Sequence, residues 1–200
     1  MMSRLQLVLA LSAFALGGQP RPVLTKADFR NFRFAFPAAR ASSISVPEGV
    51  TWMDTNVKNT ITLVNGRFDF DRHDPSRGPS MTLSQVHYGY LTMRGQLDAV
   101  VVLDYHTGGS AQWSYVYAYS LAPVTPKLLG WLQTGDRASS GLRSVTVTNG
   151  GFTLDVFDPR ERQSDCCSAG FVRSSYAWRM GKFVPLGPPL YGRVEEPAPR

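Results

Sequence analysis

The sequence predicts a mainly β fold, a single domain of antiparallel β-sheet that is built from hairpins and has little helix. Apolar and polar residues alternate over short segments, with no long apolar period of three to four residues. Glycine-containing turn pairs separate several of these segments. One run, Ala99–Leu103, is continuously apolar and rich in β-branched residues. Together these patterns predict about eight to ten strands.

Residues 1–17 have the features of a secretory signal peptide. Arg4 gives the start of the chain a positive charge, an apolar run from Leu5 to Leu16 follows, and Ala15 and Gly17 are small residues at cleavage-site spacing. We therefore expect cleavage after Gly17 and a secreted or periplasmic protein. The alternative is an uncleaved anchor, but a run of about 12 residues is shorter than the roughly 20 that span a bilayer as a helix.

The rest of the chain is predicted to be one β-rich domain, residues 18–193, followed by a flexible C-terminal tail, residues 194–200. No later segment is apolar enough to span a membrane once the signal is cleaved. The whole chain has 21 basic and 15 acidic residues and a formal net charge of +6. Because the arginines are scattered, we expect a solvated surface and no nucleic-acid partner.

Three segments predict hairpins, because alternating residues flank pairs that tolerate the positive φ angles of a tight turn. A strand interrupted by proline ends there, which places the end of the third hairpin at Pro185. The predicted hairpins are residues 60–71 around Asn65-Gly66, residues 142–156 around Asn149-Gly150-Gly151, and residues 171–184 around Gly181-Lys182.

The most hydrophobic part of the chain lies between the first two hairpins. Both alternate sets of side chains in Ala99–Leu103 are apolar, which predicts a strand buried on both faces. The segment Trp113–Leu121 alternates strictly and places its aromatic residues on one face. This pair predicts the centre of the sheet, with flanking strands at Met81–Tyr90 and Lys127–Gln133.

Two groups of aromatic residues need a place in this fold. The phenylalanines at positions 29, 32, 34 and 36 fit either an N-terminal strand or a short helix. The stripe Trp113, Tyr115, Tyr117 and Tyr119 fits either the core, with hydroxyls reaching its rim, or an exposed platform for a glycan or peptide. A spacing of two on one face is what a core needs, so we expect these tyrosines in the core.

The segment Gly89–Leu103 resembles the FG-GAP/VCBS-type unit, in which a calcium-binding loop precedes a buried strand. A group of exported bacterial proteins, including the LppP/LprE-type lipoproteins, carries a single such unit followed by a Gly-Gly-Ser loop and an aromatic strand. The resemblance extends to about Phe183 and implies an exported protein, but it implies almost nothing about activity. Gly89, Gly95 and Asp98 keep the pattern of the unit.

The loop departs from that unit where calcium would bind. Tyr90 and Arg94 occupy positions where the unit has carboxylates, and calcium takes six to eight hard oxygen ligands. We therefore predict no calcium at this loop, and we expect no metal and no cofactor in the protein. We expect the loop to survive as a turn, with Gly95 at positive φ and Asp98 capping backbone N–H groups.

Cys166 and Cys167 are adjacent and are the only two cysteines. Thiols tend to pair in an oxidising compartment, and within this chain only a vicinal disulfide can form. Adjacent Cα atoms are about 3.8 Å apart, whereas ordinary disulfides span about 4.4–6.8 Å, so such a bridge would distort the backbone. Two separate thiols and an intermolecular bridge are the open alternatives.

Chemistry-bearing motifs are few. His106 precedes Gly108-Gly109-Ser110, whose N–H groups could bind an anion, although a tight strand connection explains the same glycines. We expect a non-catalytic binding or structural module of unknown partner, with an envelope component, glycan or peptide as candidates. The alternative is a small extracytoplasmic hydrolase, which a pocket joining His106 to Asp104 or Asp136 would favour.

Overall fold

Strands dominate the structure, a computed structural model that describes residues 26–36, 59–71, 73–74, 78–121, 125–136, 140–164 and 167–193. The helical segments in these ranges are two 3-10 turns, Phe29–Asn31 and Pro159–Glu161, which confirms the mainly β prediction. The strands are β1 Arg33–Ala35, β2 Thr60–Thr62, β3 Arg67–Asp69, β4 Ser80–Gly89, β5 Asp98–His106, β6 Gln112–Ser120, β7 Lys127–Gln133, β8 Leu142–Thr148, β9 Gly151–Phe157, β10 Arg162–Ser164, β11 Cys167–Ser168, β12 Gly170–Arg179, β13 Lys182–Pro185 and β14 Leu190–Arg193.

Two five-stranded antiparallel sheets form the framework. The first sheet has the order β3-β4-β5-β6-β7. The second has the order β13-β12-β9-β8, and β14 pairs with β12 on the same side as β13 but along a different stretch. Two small pairs, β1–β2 and β10–β11, complete the described strands.

The first sheet is covered on both of its faces. Since side chains alternate along a strand, Val101 and Leu103 of β5 lie on one face and Val100 and Val102 on the other. The first pair packs with Tyr117 and the N-terminal phenylalanines. The second pair packs against apolar residues of the second sheet. The prediction of a strand buried on both faces is therefore confirmed, and the molecule has three layers.

The N-terminal layer combines the two alternatives that its phenylalanines suggested. The 3-10 turn starts after Asp28, whose carboxylate accepts a hydrogen bond from the backbone N–H of Arg30. β1 follows directly and pairs with β2. Phe29 and Phe34 are 2% and 0% exposed, so this layer closes one face of the first sheet. Tyr117 fastens it by donating a hydrogen bond of 2.9 Å from Oη to the carbonyl oxygen of Ala35.

The predicted hairpins are confirmed to different extents. Asn65 and Gly66 form the first turn, with φ of 53° and 86°. Its strands then diverge after a single bridge between Val64 and Arg67, because β2 pairs with β1 and β3 pairs with β4. The second hairpin, β8–β9, forms as predicted.

The third hairpin turns one residue earlier than its sequence predicts. Met180 and Gly181 take the positive φ values of the turn, 49° and 79°. Lys182 therefore belongs to β13 and pairs with Arg179. Pro185 is the last residue of β13, opposite Tyr176, which agrees with its predicted role as the end of the strand. The sequence did not predict β14.

Candidate ligand-binding surface

The second sheet has one face turned away from the first sheet, and we call it the outer face. Even-numbered residues of β12, such as Val172 and Tyr176, are buried against the interior. Alternation then places Arg173 and Arg179 on the outer face. The paired positions of β8, β9, β13 and β14 extend this face to both sides.

Asp155 of β9 is the centre of this face and accepts hydrogen bonds from two arginines. Its Oδ1 accepts from Nε of Arg173 at 2.7 Å, and its Oδ2 accepts from Nη2 of Arg173 at 2.8 Å. Oδ2 also accepts from Nη1 of Arg143 at 3.0 Å and from Oγ of Ser144 at 3.1 Å. The carboxylate is 2% exposed, whereas the side chains of Arg143 and Arg173 are 33% and 46% exposed.

The aromatic ring of Phe171 packs against both guanidinium groups. The centres of the Arg143 and Arg173 guanidiniums lie 4.6 Å and 5.3 Å from the ring centroid, within the range of cation–π attraction. The ring in turn lies against Gly192 of β14, where any Cβ atom would overlap it. The two cationic groups are therefore positioned by packing as well as by charge.

The protonation state of this cluster follows from the same contacts. Burial alone would raise the pKa of Asp155, but hydrogen bonds from Arg173 and Ser144 and the charges of both arginines outweigh it, so the pKa falls below its ordinary 3.8. The hydrogen bond and charge of Asp155 raise the pKa of Arg173. At neutral pH one carboxylate therefore faces two cations, and the cluster has a net charge of +1.

Two further cations enlarge the positive charge of the outer face. Arg179 and Lys182 lie opposite each other at the end of the β12–β13 hairpin and are both exposed. With Arg143 and Arg173 they make four cations against the single carboxylate of Asp155. The charge is concentrated in this part of the chain, because residues 140–193 contain 7 basic and 4 acidic residues while residues 59–136 contain 5 and 6.

Exposed apolar residues adjoin these cations. Leu186 and Leu190 are 55% and 64% exposed and stand at the two ends of the turn between β13 and β14. Leu190 is the register partner of Arg173, so both side chains lie on the same face of the sheet. The backbone N–H of Leu186 donates to the carbonyl oxygen of Ser175 at 2.9 Å, which ties the turn to β12.

A groove of about 420 Å³ lies at the end of the second sheet, lined by Asp158, Arg160, Glu161, Tyr191, Gly192 and Arg193. Its charges are matched within the chain. Arg160 pairs with Asp158 at 2.6 Å and lies 4.3 Å from the Tyr191 centroid. Arg193 pairs with Glu161 at 3.2 Å. These contacts close the 3-10 turn onto β14, and we assign them a structural role.

The loop that resembles a calcium-binding unit is held together by Asp98, which is 0% exposed. Its Oδ2 accepts from the backbone N–H groups of Leu91 and Thr92, both at 2.8 Å, and from Oγ1 of Thr92 at 2.9 Å. Gly95 has a φ of 84°, as expected. Gly89 ends β4 close to β8, where a Cβ atom would overlap the side chain of Val147. Among the described residues, no cluster of three or more His, Cys, Asp or Glu side chains could hold a metal ion.

Asp104 and His106 have separate contacts in the part of the chain that the structure describes. Asp104 accepts a hydrogen bond of 2.6 Å from Oγ of Ser114 on β6. His106 is the last residue of β5 and pairs with Gln112. In the described ranges, no hydrogen bond joins the imidazole of His106 to Asp104 or Asp136.

Tyr115 and Tyr117 lie in the core, where they are 5% and 0% exposed. Phe34 packs 5.4 Å from Tyr117 and Phe36 packs 5.6 Å from Tyr115, measured between ring centroids. Burial raises the pKa of Tyr115 to about 12 and that of Tyr117 well above its ordinary value. The N-terminal layer covers both tyrosines, so they present no open aromatic face.

Three predicted features lie wholly or partly outside the described residues. They are the signal peptide, residues 1–17, the C-terminal tail, residues 194–200, and the cysteine pair, of which Cys166 lies outside the described ranges and Cys167 is described only as backbone. The vicinal disulfide therefore stays a prediction. Within the ranges that are described, no helix has the length and apolar character needed to cross a membrane.

Sequence reasoning missed the cluster around Asp155. An aspartate in the middle of the alternating segment Phe152–Val156 was the available signal, because a carboxylate inside a strand needs partners. The partners come from β8 and β12, which only the sheet order brings together. The chain matches no family model, no curated protein and no solved structure, so the surface must be interpreted from its own geometry.

Proposed function

We propose that this chain is an exported, non-catalytic binding module that holds an anionic partner against the outer face of its second sheet. Export is inferred from the charged, apolar and small-residue pattern of residues 1–17. The binding role is inferred from the arginine pair around Asp155, and this pair is the observation that carries the proposal.

The arginine pair is fixed in place and yet remains available. Each guanidinium has five N–H donors, of which Arg173 gives two to Asp155 and Arg143 gives one. The other donors belong to side chains that are a third to a half exposed. Donors that are already oriented lose less entropy when they bind carboxylate, phosphate or sulfate oxygens. A partner with such oxygens therefore fits this face.

The contacts on this face favour binding over chemistry. Asp155 is ionised, buried and hydrogen-bonded to two arginines, so it is poorly placed to act as a general base. The hydroxyls of Thr153 and Ser175, 2.9 Å apart, hydrogen-bond to each other. No described contact pairs either hydroxyl with a histidine or a carboxylate that could activate it as a nucleophile.

Retention on immobilised dextran sulfate tests the proposal. The double variant Arg179→Gln/Lys182→Gln removes two outer-face cations that have no ion pair in the described ranges. The control Arg94→Gln/Lys127→Gln removes two exposed cations from the part of the chain that forms the first sheet. Both variants lose the same net charge, so any difference between them reports where the polyanion binds.

We expect the outer-face variant to elute at a clearly lower sodium chloride concentration than the wild type, and the control to elute close to the wild type. Salt screens exposed charges with a Debye length of about 10 Å at 0.1 M, so the elution position measures the local charge density. Equal shifts for the two variants would show that only net charge matters and would refute the proposed face.

A further inference from the structure

We infer that the anionic partner is a lipid membrane surface and that the turn between β13 and β14 enters its headgroup region. This inference rests on the proposed function and specifies its partner. It is carried by a second feature of the outer face, the exposed apolar turn beside the cations.

The turn Leu186–Leu190 has the sequence Leu-Gly-Pro-Pro-Leu and contains no polar or charged side chain. Its two leucines are more than half exposed, and Met180 at the tip of the preceding hairpin is 95% exposed. Exposed apolar groups clustered on one edge of a domain typically mark an interaction surface, whereas scattered single ones do not. The prolines also restrict the turn, so presenting the leucines costs little conformational entropy.

The cations and the apolar turn share one face and one edge. Arg173 is opposite Leu190 near one end of β12, and Arg179 is opposite Lys182 at the other end. The six steps along the strand from Arg173 to Arg179 span about 20 Å at roughly 3.3 Å per residue. The apolar turn lies between these two cationic positions along the β13–β14 edge, so the cations and the leucines share one side of the second sheet.

A lipid surface satisfies this arrangement more completely than a soluble polyanion does. The positive charge extends over a distance that several headgroups cover, whereas a single small anion would reach only the pair at Asp155. A soluble acidic polysaccharide would pair with the arginines but leave Leu186, Leu190 and Met180 in water. Anionic lipids supply oxygens for the cations and an apolar layer for the leucines at once.

Vesicle sedimentation tests the inference on the exported protein after removal of its signal peptide, whose apolar run would itself bind lipid. The vesicles contain phosphatidylcholine, either alone or with phosphatidylglycerol. The test variant Leu186→Ser/Leu190→Ser makes the turn polar. The control Val64→Ser/Met93→Ser makes the same kind of change at residues that are 64% and 60% exposed and do not belong to the second sheet. Thermal unfolding checks that all variants fold.

We expect the wild type to bind the phosphatidylglycerol vesicles and not the neutral ones. The leucine variant should lose affinity on the order of tenfold, since the leucines are already partly covered in the free protein. The variant Arg179→Gln/Lys182→Gln should lose about 30-fold, at roughly 1 kcal/mol for each cation near an anionic surface. The Val64/Met93 control should bind like the wild type.

The possible failures separate the two proposals. Retention on dextran sulfate without vesicle binding would overturn the lipid inference and leave the binding module standing. Vesicle binding that the leucine variant retains in full, or equal binding to neutral vesicles, would also overturn it. A protein that binds neither dextran sulfate nor vesicles would overturn the proposed function together with the inference.

Discussion

Replacing Asp155 with asparagine should make the protein less stable and, at the same time, a better anion binder. The change removes the negative charge that two guanidiniums share, while the side chain keeps nearly the same shape. Hydrogen bonds to charged groups contribute roughly 1.5–3 kcal/mol each, but Arg143 and Arg173 can rehydrate because they are 33% and 46% exposed. We therefore expect a loss of about 2 kcal/mol in the free energy of unfolding, which lowers Tm by about 4–8 °C for a chain of this size.

The same substitution raises the net charge of the outer face by one. Vesicle affinity should then rise about fivefold, given roughly 1 kcal/mol for each charge near an anionic surface. Calorimetry measures the stability and sedimentation measures the binding. The matched control is Asp69→Asn, because Asp69 forms a partly exposed pair with Arg67 on the first sheet. The control adds the same charge away from the outer face, so it should leave vesicle affinity close to that of the wild type and change the free energy of unfolding by no more than about 1 kcal/mol.

The stability difference between the wild type and Asp155→Asn should depend on pH. Contacts in the folded state lower the pKa of Asp155, so the wild type gains stability from this carboxylate above the ordinary pKa of 3.8 and loses it as the pH falls through the lower folded value. The stability gap between wild type and variant should therefore be constant near neutral pH and close in acid. A variant as stable as the wild type at pH 7, or one that binds vesicles more weakly, would refute this account of the cluster.

Substitutions at three further positions, Tyr117, Asp98 and Gly151, test the fold. Tyr117→Phe removes the hydrogen bond to the carbonyl oxygen of Ala35 and should lower the free energy of unfolding in urea by about 1 kcal/mol. Tyr117→Ala should lower it by about 3–5 kcal/mol, because it also leaves a cavity. Equal losses for the two variants would contradict the assignment of Tyr117 to the core. Asp98→Ala should cost about 3 kcal/mol, since two backbone N–H groups of the loop lose their acceptor, and a silent substitution would show that water replaces it. Gly151→Ala should prevent normal pairing of β9 with β12, because its Cβ atom would overlap the carbonyl group of Tyr176. The control Gly109→Ala should leave Tm within a few degrees, because its Cβ atom would make only an ordinary contact of 3.6 Å with Oγ1 of Thr107.

Local sequence patterns predicted the strands of the first sheet well. The run Ala99–Leu103 and the stripe through Tyr117 fixed the positions of β5 and β6, because burial on both faces and alternation are properties of one strand at a time. The bounds of β7 matched, and β4 was shifted by one residue. The turn at Asn65-Gly66 was also predicted from its own two residues.

Partner choice was harder to predict, because it depends on distant residues. The strands on either side of Asn65-Gly66 join different sheets, because β2 pairs with β1 and β3 pairs with β4. β14 is short, and its pairing depends on β12. The third turn is at Met180-Gly181 and not at the predicted Gly181-Lys182, because Lys182 pairs with Arg179. Met180, although it is not a glycine, therefore has a positive φ.

The candidate surface was the least predictable part. Asp155, Arg143 and Arg173 come from three strands, and each by itself is an ordinary polar residue on the outer face of a sheet. They form a cluster only because of the register of β9 with β8 and β12, and the alternation of residues along each strand does not specify that register. The loop around Asp98 was easier to predict, because its acceptor and donors are within seven residues of each other.

The N-terminal layer has a consequence for the order in which the protein folds. The hydrogen bond from Tyr117 to Ala35 joins positions 82 residues apart, and that from Tyr88 to Ala27 joins positions 61 residues apart. The phenylalanines near residue 30 leave the ribosome early, yet the sheet that covers them is complete only when β7 has been made. Contacts of such long range are made slowly, so these apolar residues stay exposed for most of synthesis. The export proposed for this chain would benefit from such a delay, because an exported chain has to stay unfolded until it reaches another compartment.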